Sequence, residues 1–339
     1  SRRRSNSVNW RGAVLALIAV TAALPAAFAQ QPGKVYRIAV ITSSQAAQLA
    51  GPAPASPAMR AFIQGMKARG YIEGQNLVLD RRTIAGLDFP GIDDMMAELV
   101  RQKPDVIVTP GTNSSVRAMK AAGGIPIVMA ASVDPVSAGL AQSLARPGGS
   151  VTGLATDVGA GAQAKRMELL LELVPKARRI AFVGWKMDSD NPWGREVQSV
   201  AAKRRVALFF AEGKPTGFAD ALEALKREKS EAFFVAASPN TTSLGATFGE
   251  FTLASRIPSS CGFSEMAEQG CLMSYGQSIA DFWTKSTIYV DKILKGAKPG
   301  DLPIEQPTRF ELVINLKTAK AIGIKVPQSL LLRADRVID

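Results

Sequence analysis

The residues best placed to do chemistry are short polar ones that follow strand-like apolar runs. They are Ser43 and Ser44 after 36–42, Thr112, Asn113 and Ser114 after 105–109, and Ser132 and Asp134 after 127–130. Further on, Trp185 and Asp188 close the run 179–185, and Ser238, Asn240 and Thr241 follow 232–236. Hydroxyls, amides and helix N-termini suit a ligand carboxylate. Asp134 or Asp188 could hold an ammonium, and Trp185 or Tyr275 could cover an apolar or aromatic group. Either aromatic is equally open to a place in the core. Taken singly, each polar residue is explained as a helix cap; gathered on one edge, they point to a shared ligand.

Other chemistries fail on the residues themselves. Histidine is absent, which removes Ser/His/Asp and Cys/His nucleophiles, His-ligated zinc and an imidazole acid or base. Asp188-Ser189-Asp190 opens like a calcium loop, but Trp193 and Ser199 stand where glycine and glutamate are required. Gly148 to Gly153 lacks dinucleotide-binding spacing and reads as a turn entering a strand. Neither a Walker A motif nor a G-x-S-x-G elbow is present. Asp93-Asp94 reads as the charged first turn of a helix. No catalytic residue, cofactor or metal is therefore expected.

The elements that must position these residues alternate strand and helix, the pattern of βα units on a parallel sheet. Strands are expected at 36–42, 76–82, 105–109, 127–130 and 151–155, with helices at 57–70, 93–102 and 113–122. The rhythm restarts with helices at 163–173, 193–204, 217–229 and 241–256 and strands at 179–185, 206–211, 232–236 and 257–261. Leu99 to Pro126 and Leu225 to Pro258 match in detail: helix end, apolar strand, polar loop, helix, Ile-Pro. Two like domains are implied, each with a polar strand-to-helix edge, and in open α/β sheets ligands gather at that edge.

Arg2, Arg3, Arg4 and Arg11 precede an apolar run from Gly12 to Leu24, followed by Pro25 and Ala27-Phe28-Ala29. This is the layout of a secretory signal peptide spanning 1–29, cut after Ala29; an uncleaved anchor is disfavoured by Pro25 and the alanine-rich composition. No cysteine lies nearby to carry a lipid. Without the four head arginines the net charge falls from +12 to +8, scattered and without aromatic interleaving. That argues against a nucleic-acid partner. Cys261 and Cys271 are the only cysteines. After export they could form a disulfide, the alternative being two buried thiols.

Several segments together resemble one family: Gly70 to Leu77 (GYIEGQNL), Asp134-Pro135-Val136, Arg146 to Gly153 (RPGGSVTG), Leu272 to Gly276 (LMSYG), Leu302 to Thr308 (LPIEQPT) and the tail Phe310 to Ala321. The chain is similar to the substrate-binding proteins of ABC transporters, in the branch of tryptophan- and tyrosine-type binding proteins. The resemblance implies an α/β fold of two doubly wound parallel-sheet lobes joined by crossover strands, the type I periplasmic-binding-protein arrangement. Lobe 1 would hold 30–153 plus about 277–310, lobe 2 would hold 154–276, and 311–339 is left unassigned. The resemblance also places Asp134, Ser274 and Tyr275 near the cleft. It implies a periplasmic monomer that captures a small solute, an amino acid or an aromatic carboxylate, and passes it to a membrane permease. The alternatives are a ligand-sensing partner of a membrane receptor and, disfavoured by the missing histidine, an exported hydrolase. The loop 185–192 departs from the family's usual Asn-Pro-rich form, so ligand identity does not carry over.

Overall fold

A parallel strand buried on both faces must be apolar throughout, and β1 (Tyr36–Thr42) meets that demand, with Ile38 to Ile41 fully buried. It stands between β2 (Leu77–Thr83) and β3 (Val106–Thr109). With β4 (Ile127–Ser132) and β5 (Val151–Ala155) they form an all-parallel sheet in the order β2-β1-β3-β4-β5. The computed structural model describes residues 34–156, 161–214, 217–306 and 309–339, without the side chains of Pro239 and Asn240. The expected signal segment 1–29 lies outside the described residues.

Helices α1 (Pro57–Lys67), α2 (Phe89–Arg101) and α3 (Thr112–Ala121) connect the strands of the first sheet. Ser56 and Asp88 cap the first two by accepting from the Met59 and Gly91 amides. A later helix, labelled α11 below (Ile279–Leu294), returns to pack on α1, with Phe62 edge-on to Trp283 at 6.2 Å. The two helices approach closely at Gly65, where a Cβ would stand 2.7 Å from the Thr287 hydroxyl.

The second sheet has seven strands. They are β6 (Arg179–Gly184), β7 (Ala207–Glu212), β8 (Ala232–Val235), β9 (Ser259–Phe263), β10 (Met273–Gln277), β11 (Glu311–Asn315) and β12 (Arg336–Ile338). Their order is β12-β11-β10-β9-β8-β6-β7, parallel except where β11 runs against β10. Around them lie α4 (Ala162–Leu173), α5 (Lys186–Asp190), α6 (Pro192–Lys203), α7 (Ala219–Arg227), α8 (Pro239–Thr242), α9 (Gly245–Ser255), α10 (Ser264–Glu268), α12 (Leu316–Ile322) and α13 (Gln328–Leu331), while α11 packs with the first sheet. The chain passes between the sheets three times: after β5, between β10 and α11, and before β11. The α/β fold of two parallel-sheet lobes joined by crossovers is the one the sequence implies.

The differences are local. The loop expected at 185–192 contains α5, and the helix expected at 241–256 is divided at Ser243-Leu244 into α8 and α9. Ile257-Pro258 stays outside the strand that was expected to begin there, which starts at Ser259. The matched loops share one device. The Ser114 hydroxyl accepts from the Gly111 amide at 3.3 Å and donates to its carbonyl at 2.8 Å, and the Thr241 hydroxyl does the same at Ser238 at 3.3 and 3.0 Å. No helix among the described residues is long and apolar enough to cross a membrane.

Cys261 in β9 and Cys271, two residues before β10, are bonded across a Cα separation of 6.4 Å. Both are fully buried. Closing a loop of ten residues removes unfolded-state entropy equivalent to roughly 2.7 kcal/mol at 25 °C. Urea unfolding of the Cys261→Ser/Cys271→Ser double variant is expected to show a stability loss of about that size, an unchanged midpoint contradicting a structural role for the bond.

Candidate functional site

The carboxyl ends of both sheets open on one cleft, which holds two adjoining cavities. The first, of about 270 Å³, has Ser43, Ser44, Val133, Phe282 and Trp283 on one side and Ala237, Thr242, Gly262, Phe263 and Gly276 on the other. Phe310 from the third crossover and the amides of Gln48, Gln163, Gln269 and Gln277 complete it. None of its lining residues among those described is charged. The second, of about 390 Å³, is lined by Thr112, Asn113, Ser114, Met187, Asp188, Trp193 and Ser238, among others. Pro110, Val133, Gln163 and Ala237 belong to both walls, so one partition separates the two spaces. The lobes touch where the Ser43 and Thr242 hydroxyls meet at 3.1 Å.

The expected site residues divide into three groups. Ser43 and Ser44 line the first cavity, and Thr112, Asn113, Ser114, Asp188 and Ser238 line the second. Several of these are partly committed within the fold. Ser44 bonds the Ser56 hydroxyl at 2.7 Å, and the Thr112 hydroxyl accepts from the Val133 amide at 2.8 Å while contacting Ser132 at 3.0 Å.

Asp134, Trp185, Thr241, Ser274 and Tyr275 line neither cavity, which departs from the sequence expectation. Asp134 sits in the left-handed region at φ 41° and turns its carboxylate onto the Ser137 amide at 3.1 Å. Trp185 packs against the apolar core of the second lobe. Thr241 is the fully buried cap described above, and Ser274 is fully buried within β10. Tyr275 stacks on Phe310 with centroids 5.7 Å apart, one ring behind the cavity wall. The Asn240 side chain lies outside the described residues.

Asp188 is the one charged residue lining either cavity among the described residues. Its carboxylate accepts from the Trp185 amide at 2.8 Å and the Ser238 hydroxyl at 3.3 Å. Burial raises its pKa above the ordinary aspartate range, and those two hydrogen bonds oppose the rise. What sequence reasoning missed is the ring of aromatics and amides. Phe282 and Trp283 belong to α11, a helix that periodicity could have found. Phe263, Gly262 and Gly276 reach the cavity through sheet packing, for which no local signal exists.

A model of the family described as ABC transporter substrate binding protein matches residues 47–338. The chain belongs to that family. Among its relatives is a protein named "Tyrosine-binding protein" from Clostridioides difficile, 26% identical over 270 residues, 79% of this chain and 77% of that one. A solved structure from Streptococcus pneumonia, titled as an ABC domain in complex with L-Trp, is 25% identical with a TM-score of 0.75, covering 90% of this chain and 100% of that chain. A conserved domain protein from Vibrio cholerae is 27% identical with a TM-score of 0.76 over the same shares.

Within this substrate-binding protein the wall of the first cavity is packed too closely at two glycines to admit a side chain. A Cβ on Gly262 would stand 2.5 Å from the Ala237 Cβ and 2.6 Å from Arg166 Nη1, and one on Gly276 would overlap the Gly262 carbonyl oxygen. Gly262→Ala is expected to cost roughly 1–3 kcal/mol of stability by overpacking. Urea unfolding checks this, and a variant as stable as the parent would show that the wall can yield.

Proposed function

We propose that this protein captures an aromatic amino acid between its lobes, outside the cytoplasmic membrane, and delivers it unchanged to an ABC permease. The observation that carries this reading is the pairing of two unlike spaces. One is uncharged and faced by Phe263, Phe282, Trp283 and Phe310; the other is reached past a shared wall and ends at Asp188. Aromatic rings favour edge-on or offset contact with another ring, and a lone buried carboxylate favours an ammonium. The names of the tyrosine-binding relative and of the L-Trp complex support the same class of ligand.

The lobes would move about the three passages, with 36–155 and 279–305 in one and 161–277 and 311–339 in the other. Ligand contacts to both sides would favour the closed form, because only contacts made in that form shift the equilibrium. The protein acts as a monomer without catalysis, its residues 1–29 serving as an export signal cut after Ala29.

Thermal unfolding with L-tyrosine, L-tryptophan, L-phenylalanine and simple aromatic acids tests the reading. A rise in Tm with an aromatic amino acid that mass spectrometry recovers intact is expected; no rise across the series, or turnover of the bound solute, would overturn it. Asp188→Asn is expected to weaken binding of the same amino acid at least tenfold. The sign of its stability effect follows from the raised pKa. The folded state keeps that proton at a pH where the unfolded chain has lost it, so the ionised carboxylate costs stability above the folded pKa and the cost disappears as pH falls through it. The ligand-free variant is therefore expected to unfold at a higher temperature than the parent at pH 7, and a lower one would contradict that assignment.

A further inference from the structure

Arg166 lies one turn beyond Gln163 on α4, on the same helix face, and is fully buried. Its Nη2 donates to the Val235 carbonyl at 2.6 Å, and its guanidinium lies 3.8 Å over the Phe234 ring. Nε and Nη1 have no hydrogen-bond partner among the described residues. No carboxylate among the described residues pairs with it. Burial lowers its pKa to about 9, which still leaves it protonated at neutral pH. One hydrogen bond and a cation–π contact offset only part of the cost of burying such a cation. Among the described residues the fold therefore holds a positive charge without a counter-ion.

The free nitrogen is turned toward the cleft wall. Arg166 Nη1 lies 2.6 Å from where a Gly262 Cβ would stand, and Gly262 and Ala237 both line the first cavity. A side chain at Gly262 would collide with the guanidinium, so glycine is what lets Arg166 pack directly behind this part of the wall. The Asp188 carboxylate is held from the same strand exit: Arg166 bonds the Val235 carbonyl, and Asp188 accepts from Ser238, three residues later. Three residues span at most about 11 Å, so the backbone points that hold the two charges are no further apart than the length of a small solute.

We propose that Arg166 and Asp188 together read a zwitterion, Asp188 holding the α-ammonium and Arg166 attracting the α-carboxylate through the side-chain-free wall at Gly262. Arg166 acts as a specificity-determining residue that sets the cleft's preference for free amino acids over amines carrying the same ring. The inference rests on the reading above, that the cleft binds an aromatic amino acid, and adds which group recognises its carboxylate.

Calorimetric titration of the full chain with L-tyrosine, tyramine and 3-(4-hydroxyphenyl)propionate, and with the matching tryptophan series, tests it. The parent is expected to prefer L-tyrosine to tyramine by roughly 10–100-fold, the scale of one interaction between charges about 6–12 Å apart at an effective dielectric near 20. Arg166→Met is expected to bring that ratio to within about threefold while the preference over the propionate, which depends on Asp188, survives. Arg166→Lys keeps the charge and is expected to retain part of the ratio, a distinction that a purely structural role would not produce. A ratio unchanged in Arg166→Met overturns the inference and leaves the binding reading intact. Where Arg166→Met does not fold, the parent's own ratio decides, and equal affinity for L-tyrosine and tyramine overturns it. Failure of the parent to bind any of these probes overturns the binding reading itself, and the inference with it.

Discussion

The direction of the parallel strands governs the rest of this structure. A parallel strand hands its chain to a helix at the carboxyl edge, so β1, β3, β4, β6 and β8 all release their following residues on the cleft side of their sheets. That edge is where helix N-termini leave amides unsatisfied and where Ser, Thr, Asn and Asp are selected to cap them. The same requirement thus supplies both the caps and the polar lining of a binding cleft. Thr112 does both: it begins α3, ties itself to Val133, and stands in the second cavity wall.

That double use explains what could be read from the residues. Strand periodicity and the matched halves imply two parallel-sheet lobes, because apolar strands and polar loops are local properties. The same local signal does not separate a cap that faces inward from one that faces the ligand. Thr241 and Ser238 are three residues apart, yet one is a sealed cap and the other lines the second cavity beside Asp188. Gly262, Phe263 and Phe310 enter the site through pairing and crossover geometry, neither of which the local sequence records. Arg166 was invisible for the opposite reason. An arginine on a leucine-rich helix looks like a solvated charge, and only tertiary packing reveals it sealed between Phe234 and Gly262.

Movement of the lobes would have to pass through connections that are not uniformly soft. At the second passage the buried Glu265 of α10 accepts from the Ser278 hydroxyl at 2.7 Å and the amides of Ile279 and Ala280 at 3.0 and 2.9 Å. A carboxylate on the first amides of a sixteen-residue helix satisfies its orphan donors and complements its dipole. One lobe therefore holds the leading turn of the helix that packs against α1 in the other. A lighter contact lies across the mouth, where the Ser43 and Thr242 hydroxyls meet. A stiff attachment at the passage and a weak one at the rim suit a jaw whose closed state is completed by what it holds.

The distribution of charge separates this cleft from the surface around it. Most ion pairs of the described residues have at least one partner substantially exposed, as with Lys186–Asp190 and Lys214–Asp220, and exposed pairs of that kind contribute little to stability. The cleft instead has one buried carboxylate in its lining and one sealed guanidinium behind its wall, neither neutralised by an opposite charge among the described residues. Charges kept apart in a poorly solvated interior reduce stability, yet they are electrostatically complementary to a solute that carries both signs. A cleft that had paired its own charges would gain stability and lose that preference, so the cost falls on the empty protein and the gain appears when ligand binds.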